Sequence, residues 1–141
     1  MPRIEISLPD QFAFSTEIQI YSSHVNRGGH LDNSRLLTLV AEARERFFES
    51  LGYVNFNVEG INTLVVDAAV KYISQAFRGE VMVVHLSVGD FSNKGCDLLW
   101  KMTEKTSGRE VARGKTGIVF FDVAARKVAP VPESFRQRVG I

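Results

Sequence analysis

A shortage of cysteine is the first bound on this 141-residue chain: Cys96 stands alone, which excludes an internal disulfide framework and a thiolate-rich metal site. Histidine is scarce too. His24, His30 and His85 show no His-x-x-x-His spacing, so no metal centre is expected. An excess of either charge is missing as well. With 17 Lys and Arg against 16 Asp and Glu, the formal net charge of +1 gives no global attraction to nucleic acid or to an anionic membrane. It leaves room for a local basic patch that serves a phosphorylated ligand. No apolar run approaches the roughly 20 residues of a membrane helix. The first ten residues carry Arg3, Glu5 and Pro9 and no apolar h-region, unlike a secretory signal. The expectation is a soluble, cytoplasmic chain forming one domain over 1–141.

What is present is ordinary globular material, 45% hydrophobic and 23% charged. A domain of this size buries about 70% of the surface its unfolded chain exposes, so a core can form without staples. The one long helical pattern follows a polar loop of Asn26, Arg27, Gly28, Gly29 and His30. Asp32 or Asn33 supplies the cap. Behind it Leu36, Val40, Ala43, Phe47 and Leu51 recur at spacings of three and four, one face of a helix. Gly52 is the left-handed residue that ends such a helix.

Around that helix the chain alternates. Phe14, Ile18 and Ile20 face one side of a strand, opposite Ser15, Glu17 and Gln19. Leu64, Val66, Ala68, Val70 and Tyr72 alternate with Val65, Asp67, Ala69, Lys71 and Ile73. Met82, Val84, Leu86 and Val88 share a face, as do Leu98, Trp100 and Met102. Arg113, Lys115, Val119 and Phe121 oppose Ala112, Thr116, Ile118 and Phe120. Turns are expected at Arg78-Gly79-Glu80, at 92–95 and at Ser107-Gly108. The short connections place the last four strands as successive antiparallel neighbours. Residues 133–139 read as a short terminal helix. The expectation is an α+β fold, an antiparallel sheet of about five strands wrapped around one long central helix. Val65, Ala69, Ile73, Val81, Val83, Val119 and Phe121 remain apolar after the helix is covered, which suggests that a second copy of the chain supplies another layer.

These residues resemble a known family. Gly29, His30 and Asn33, then Glu42, Ala43 and Arg44, match the pattern Asp-x-x-Gly-His-Val-Asn-Asn followed by Glu-x-Ala-Arg. That pattern belongs to the hotdog-fold acyl-CoA thioesterases related to 4-hydroxybenzoyl-CoA thioesterase. Tyr72, the pair Gly79 and Glu80, the run Gly114 to Thr116, and the tail Pro130 to Glu133 are similar to the family too, so the likeness spans nearly the whole chain. It implies hydrolysis of an acyl thioester to free acid and CoA at a site between subunits of a homodimer or homotetramer. The substrate would be acyl-CoA or an acyl carrier protein, with CoA as part of the substrate and no separate cofactor. One position departs: Asn26 stands where most members have the aspartate that acts as nucleophile or base. Leu31 and Asp32 replace the usual Val-Asn. An amide side chain neither attacks as a carboxylate does nor takes a proton from water.

Thioester hydrolysis needs a donor for the developing oxyanion, and a helix N-terminus presents free N–H groups and a partial positive charge. The resemblance gives this role to the backbone N–H of Asn33. Asp32 and Asn33 also suit a purely structural cap. His30 is a candidate base or a loop-packing residue, and His24 a substitute for it. Glu42 and Asp67 are the carboxylates that could replace the missing aspartate, Asp67 across a subunit interface; either could equally be a solvated charge. Asn26 is expected to hold water or the thioester carbonyl. Gly29, Tyr72, Lys94 and Arg113 are expected substrate contacts, with Lys115 a further basic candidate for the phosphates. The pantetheine arm would run near Tyr72 to Ser74. Phe47, Phe48, Phe91 and Trp100 line an acyl pocket or simply fill the core. Two other readings stay open: a hotdog protein that binds acyl-CoA or acyl carrier protein without turnover, and a hotdog hydratase.

Overall fold

The computed structural model describes residues 2–140. β1 (Phe14–Gln19) leads through a 3-10 turn (Ser22–His24) and the polar loop into α1 (Asn33–Ser50). There follow β2 (Asn57–Val58), β3 (Ile61–Tyr72), β4 (Val81–Gly89), β5 (Gly95–Glu104), β6 (Glu110–Asp122), β7 (Lys127–Ala129) and α2 (Glu133–Arg138). All seven strands join one antiparallel sheet in the order β1-β4-β5-β6-β3-β2, with β7 beside the end of β6. The architecture is the expected α+β one, but the sheet has seven strands rather than five. β2 and β7 are two and three residues long, too short to show any alternation.

α1 starts where Asp32, in an extended conformation, accepts the Ser34 N–H at 3.0 Å. Its buried face is Leu36, Leu39, Val40, Ala43, Phe47 and Phe48. Each large side chain buried there is worth about 1.5–3 kcal/mol, so packing on the sheet holds the helix more than propensity does. The sheet answers with Met82, Val84, Trp100, Met102 and Ala112 around the first half of α1. Leu86, Leu98, Ile118 and Phe120 surround the second half, where Phe135 of α2 stacks on Phe48 and plugs the open end. Trp100 packs closely against Gly114: a Cβ there would stand 2.4 Å from its ring. Cys96 is buried in the second cluster, and burial pushes its thiol up to about 12.

Two expectations about the strands are corrected. β3 does not neighbour β4; it pairs with β6, and β4 lies between β1 and β5. The connection from Ile73 to Glu80 is longer than a turn and crosses to the other side of the sheet. It is held there by backbone bonds from Gly79 N to Ile20 O and from Leu31 N to Ala76 O. The second correction concerns β3 itself. Val65 pairs with Ile118 but Asp67 with Gly117, so Val66 is an extra residue in a β-bulge. The bulge reverses the alternation, and Leu64 shares a face with Asp67, Ala69 and Lys71 rather than with Ala68 and Val70.

β3 is twelve residues long, yet among the described residues it is paired, beyond β6, only by β2, at Ile61 and Asn62. Leu64, Val65 and Val66 are exposed along it. Among the described residues, no helix is long and apolar enough to cross a membrane.

Candidate functional site

The approach loop to α1 is a small hairpin. Val25 bridges Leu31, Asn26 N donates to His30 O at 3.0 Å, and Asp32 N donates to His24 O at 3.0 Å. At its tip the Asn26 carbonyl accepts from Gly29 N, and the Asn26 side-chain oxygen accepts from Gly28 N at 2.9 Å. Gly28 leaves room for His30 to fold back over it: a Cβ there would lie 3.0 Å from His30 Nε2 and 3.3 Å from Asn26 Oδ1. The two side chains therefore converge over one glycine. Gly29, with φ +83, closes the turn.

Beside this hairpin, at the N-terminus of α1, opens a cleft of about 330 Å³. Asn26, His30 and Asn33 line it from the loop and helix; Tyr72, Ser74 and Gln75 come from the end of β3 and the crossover. Leu31, Leu36, Ile73, Ala76 and Val111 supply its apolar surface. Tyr72 donates its hydroxyl to the Asn33 carbonyl at 3.1 Å, pinning the strand end to the first helical residue. Among the described residues no acceptor takes the Asn33 N–H, which stays available as a donor. The hydroxyl and backbone N–H of Ser34 hold the Asp32 carboxyl below its usual range, so it remains an ionised cap.

Of the residues singled out from the sequence, the fold brings Asn26, His30, Asn33 and Tyr72 together, with Gly29 adjoining. The others lie apart. Glu42 is nine residues into α1, about 14 Å along its axis. There it pairs with Arg46 at 2.7 Å, whose guanidinium also donates to Thr16 Oγ1 and Glu17 O. Glu42 thus helps clamp α1 to β1. Asp67 sits on the face of the sheet away from α1, against Gly117, near Asp97. It does not reach the cleft of its own chain.

Arg113 shares that outer face and is held by Glu110 at 2.6 and 2.8 Å and by the Ile6 carbonyl. Lys115 on the same face pairs with Asp97 at 3.4 Å. Lys94 lies in the β5 entry turn, where its carbonyl accepts from Phe120 N. Phe120 is nine residues, about 30 Å, along β6 from the cleft residue Val111. His24 accepts the Tyr21 N–H on Nδ1 at 2.9 Å, a structural task. Phe47, Phe48 and Trp100 are core, and Phe91 packs on Phe135.

Sequence reasoning missed Gln75, Ala76 and Val111. Their signal was faint: consecutive Ser74 and Gln75 break the alternation just after Tyr72, before the turn at Gly79. Among the described residues no cluster of three or more His, Cys, Asp or Glu is placed to hold a metal. The chemistry available in the cleft is a free backbone donor, an imidazole, a phenol, neutral amides and the Ser74 hydroxyl, which donates to the Glu110 carbonyl at 2.7 Å.

Comparison with known proteins adds the family. Solved structures with the same fold include a 1,4-dihydroxy-2-naphthoyl-CoA thioesterase from Synechocystis. It has a TM-score of 0.82 at 22% identity, over 90% of this chain and 95% of that one. A hypothetical protein from Staphylococcus aureus, in complex with CoA, gives 0.82 at 18% identity over 95% and 86%. A gentisyl-coenzyme A thioesterase gives 0.79 at 17% over 89% and 99%. Compared with curated proteins by sequence, the chain matches none. The model of the thioesterase-like superfamily matches residues 11–139. With that match over a sheet wrapped on one helix, the hotdog fold, this chain belongs to the thioesterase-like superfamily.

Proposed function

We propose that the chain hydrolyses acyl-CoA thioesters to the free acid and CoA in the cleft beside the N-terminus of α1. The observation that carries this is that Asn33, the first residue of an 18-residue helix and one whose N–H no described group accepts, lines the same cleft as His30. In this reading the thioester carbonyl oxygen accepts the Asn33 N–H as negative charge develops on it. His30 takes a proton from the attacking water, and Asn26 orients that water. Collapse of the tetrahedral intermediate breaks the C–S bond, and the His30 imidazolium gives its proton to the departing CoA thiolate. The CoA complex of one structural neighbour and the CoA ester substrates named for two others support CoA as the carrier.

A second copy completes the site. The unpaired length of β3 and its exposed Leu64, Val65 and Val66 offer an edge for strand pairing. Light scattering should give a dimer or a tetramer, and a monomer at micromolar concentration would refute this part.

Thiol release from a panel of acyl-CoA esters tests the reaction. Turnover that His30→Ala removes supports it; no release from any ester refutes it. A second reading has its own observation, that among the described residues no carboxylate lines the cleft. In it the protein binds acyl-CoA or an acylated carrier protein without turnover, and tight binding with no thiol release would select it.

A further inference from the structure

The crossover 73–80 forms one wall of the cleft and is buried at Ala76, while Gln75, Phe77, Arg78 and Gly79 are exposed. It is tied from behind. The Arg109 guanidinium donates to the Gln75 carbonyl at 3.0 Å and to both Glu80 carboxylate oxygens at 3.0 and 3.2 Å. Glu80 in turn accepts the Phe77 N–H at 2.8 Å. Three acceptors thus converge on one terminal nitrogen of a pair whose side chains are only 34% and 25% exposed. The hairpin that presents Arg109 is itself fixed. Glu104 accepts the Thr106 and Ser107 N–H groups at 2.8 and 2.9 Å, and its backbone N–H donates to the Arg109 carbonyl. On its other side the crossover meets the approach loop: Leu31 N donates to Ala76 O at 2.7 Å and Phe77 bridges His30. The chain of contacts is continuous from the β5–β6 hairpin through the Arg109–Glu80 pair to the backbone of His30.

We propose that Arg109 and Glu80 are positioning residues, setting the register of the crossover against the approach loop and so placing His30 in the cleft. This rests on the hydrolase reading of the same site. Neither side chain lines the cleft, so neither touches substrate. The nitrogen that carries all three contacts is fixed in direction by the planar head group at the end of a long side chain, a placement that the shorter, freely rotating lysine ammonium does not reproduce. A shift of about 1 Å at a reacting group costs up to roughly 100-fold in rate.

The test compares Arg109→Lys, Glu80→Gln and Glu80→Ala with a control, Lys105→Ala, which breaks the exposed pair to Glu17 on the same hairpin. For folded Arg109→Lys and Glu80→Ala, kcat should fall about 10- to 100-fold with KM within about threefold. Glu80→Gln keeps the acceptor for Phe77 and should lie between these and wild type, and it serves if the harsher variants fail to fold. The control should match wild type. The His30 side-chain NMR signals should move in Arg109→Lys and Glu80→Ala but not in the control. Wild-type kcat with unmoved His30 signals in the folded variants would overturn the proposal. If wild type releases no thiol from any ester, the hydrolase reading fails by itself. The NMR comparison then still decides whether the pair places His30.

Discussion

Asn26→Asp restores the residue that most of the family carries, and its effect can be worked through. Asn26 Oδ1 accepts the Gly28 N–H at 2.9 Å, and an aspartate oxygen keeps that bond, so the hairpin tip should hold its shape. The neutral amide, whose nearness helps to hold the Asp32 carboxyl below its usual range, is lost. Two carboxylates then face each other at the helix start, which raises the pKa of one of them. A base with a raised pKa is better matched to abstracting a proton from water near neutral pH. A positioned general base contributes typically 10²–10⁴-fold, and a hundredfold gain is about 2.7 kcal/mol off the barrier. We expect kcat for thiol release to rise by roughly 100-fold, the low end of that range, because His30 already supplies part of the effect. The assay is a pH profile of CoA release with and without His30→Ala. In the Asn26→Asp background His30→Ala should cost much less than in wild type, and the acidic limb should move toward the carboxylate range. A folded Asn26→Asp variant with an unchanged rate and profile would refute both the placement of water beside residue 26 and the missing-base argument.

Three further outcomes follow from the packing. Gly114→Ala places a methyl 2.4 Å from the Trp100 ring and from the Ala69 carbonyl. Overpacking of this kind costs about 1–3 kcal/mol, read as a lower urea midpoint at unchanged m-value. Phe135→Ala empties the aromatic plug against Phe48 and Phe120, and should cost about 3–5 kcal/mol in denaturant unfolding. Its KM should stay at the wild-type value, because the plug lies at the opposite end of α1 from the cleft. The Thr106 and Ser107 N–H groups hold Glu104 down at about 2, below its ordinary 4.5. A folded pKa depressed in this way adds stability that is present above pH 4.5 and lost as pH falls toward 2. Thermal scans should show the melting temperature dropping through that window, with a shallower drop in Glu104→Gln.

Most of the fold was legible because the helix and three of the four long strands each carry a clean period. Leu36 to Phe47 recur at 3.6, and Met82 to Val88 and Leu98 to Met102 at two. Strand order was not legible. The turn formers Gly79 and Glu80 suggested a hairpin, while what decides the topology is the backbone bonding of Ala76 to Leu31 of the approach loop and of Gly79 to Ile20 just past β1. Those bonds use no side chain, so composition does not record them. The bulge at Val66 was hidden for a similar reason, since Leu64, Val65 and Val66 are all apolar and fit either register. The site was legible where it is contiguous: Asn26, His30 and Asn33 lie within eight residues of one another. It failed where a charge had to be assigned a partner. Glu42, Arg113 and Lys115 look like free charges in sequence, and only the fold reveals that Arg46, Glu110 and Asp97 already hold them.

The state of Cys96 bears on how this protein can be handled. Sealed in the second core cluster with its proton held to about pH 12, the sulfur presents no thiolate to alkylating or disulfide-exchange reagents in the native state. Colorimetric thiol reagents will therefore register liberated CoA against a silent protein background. The same reagents turn into an unfolding probe once the interior opens, one equivalent per chain.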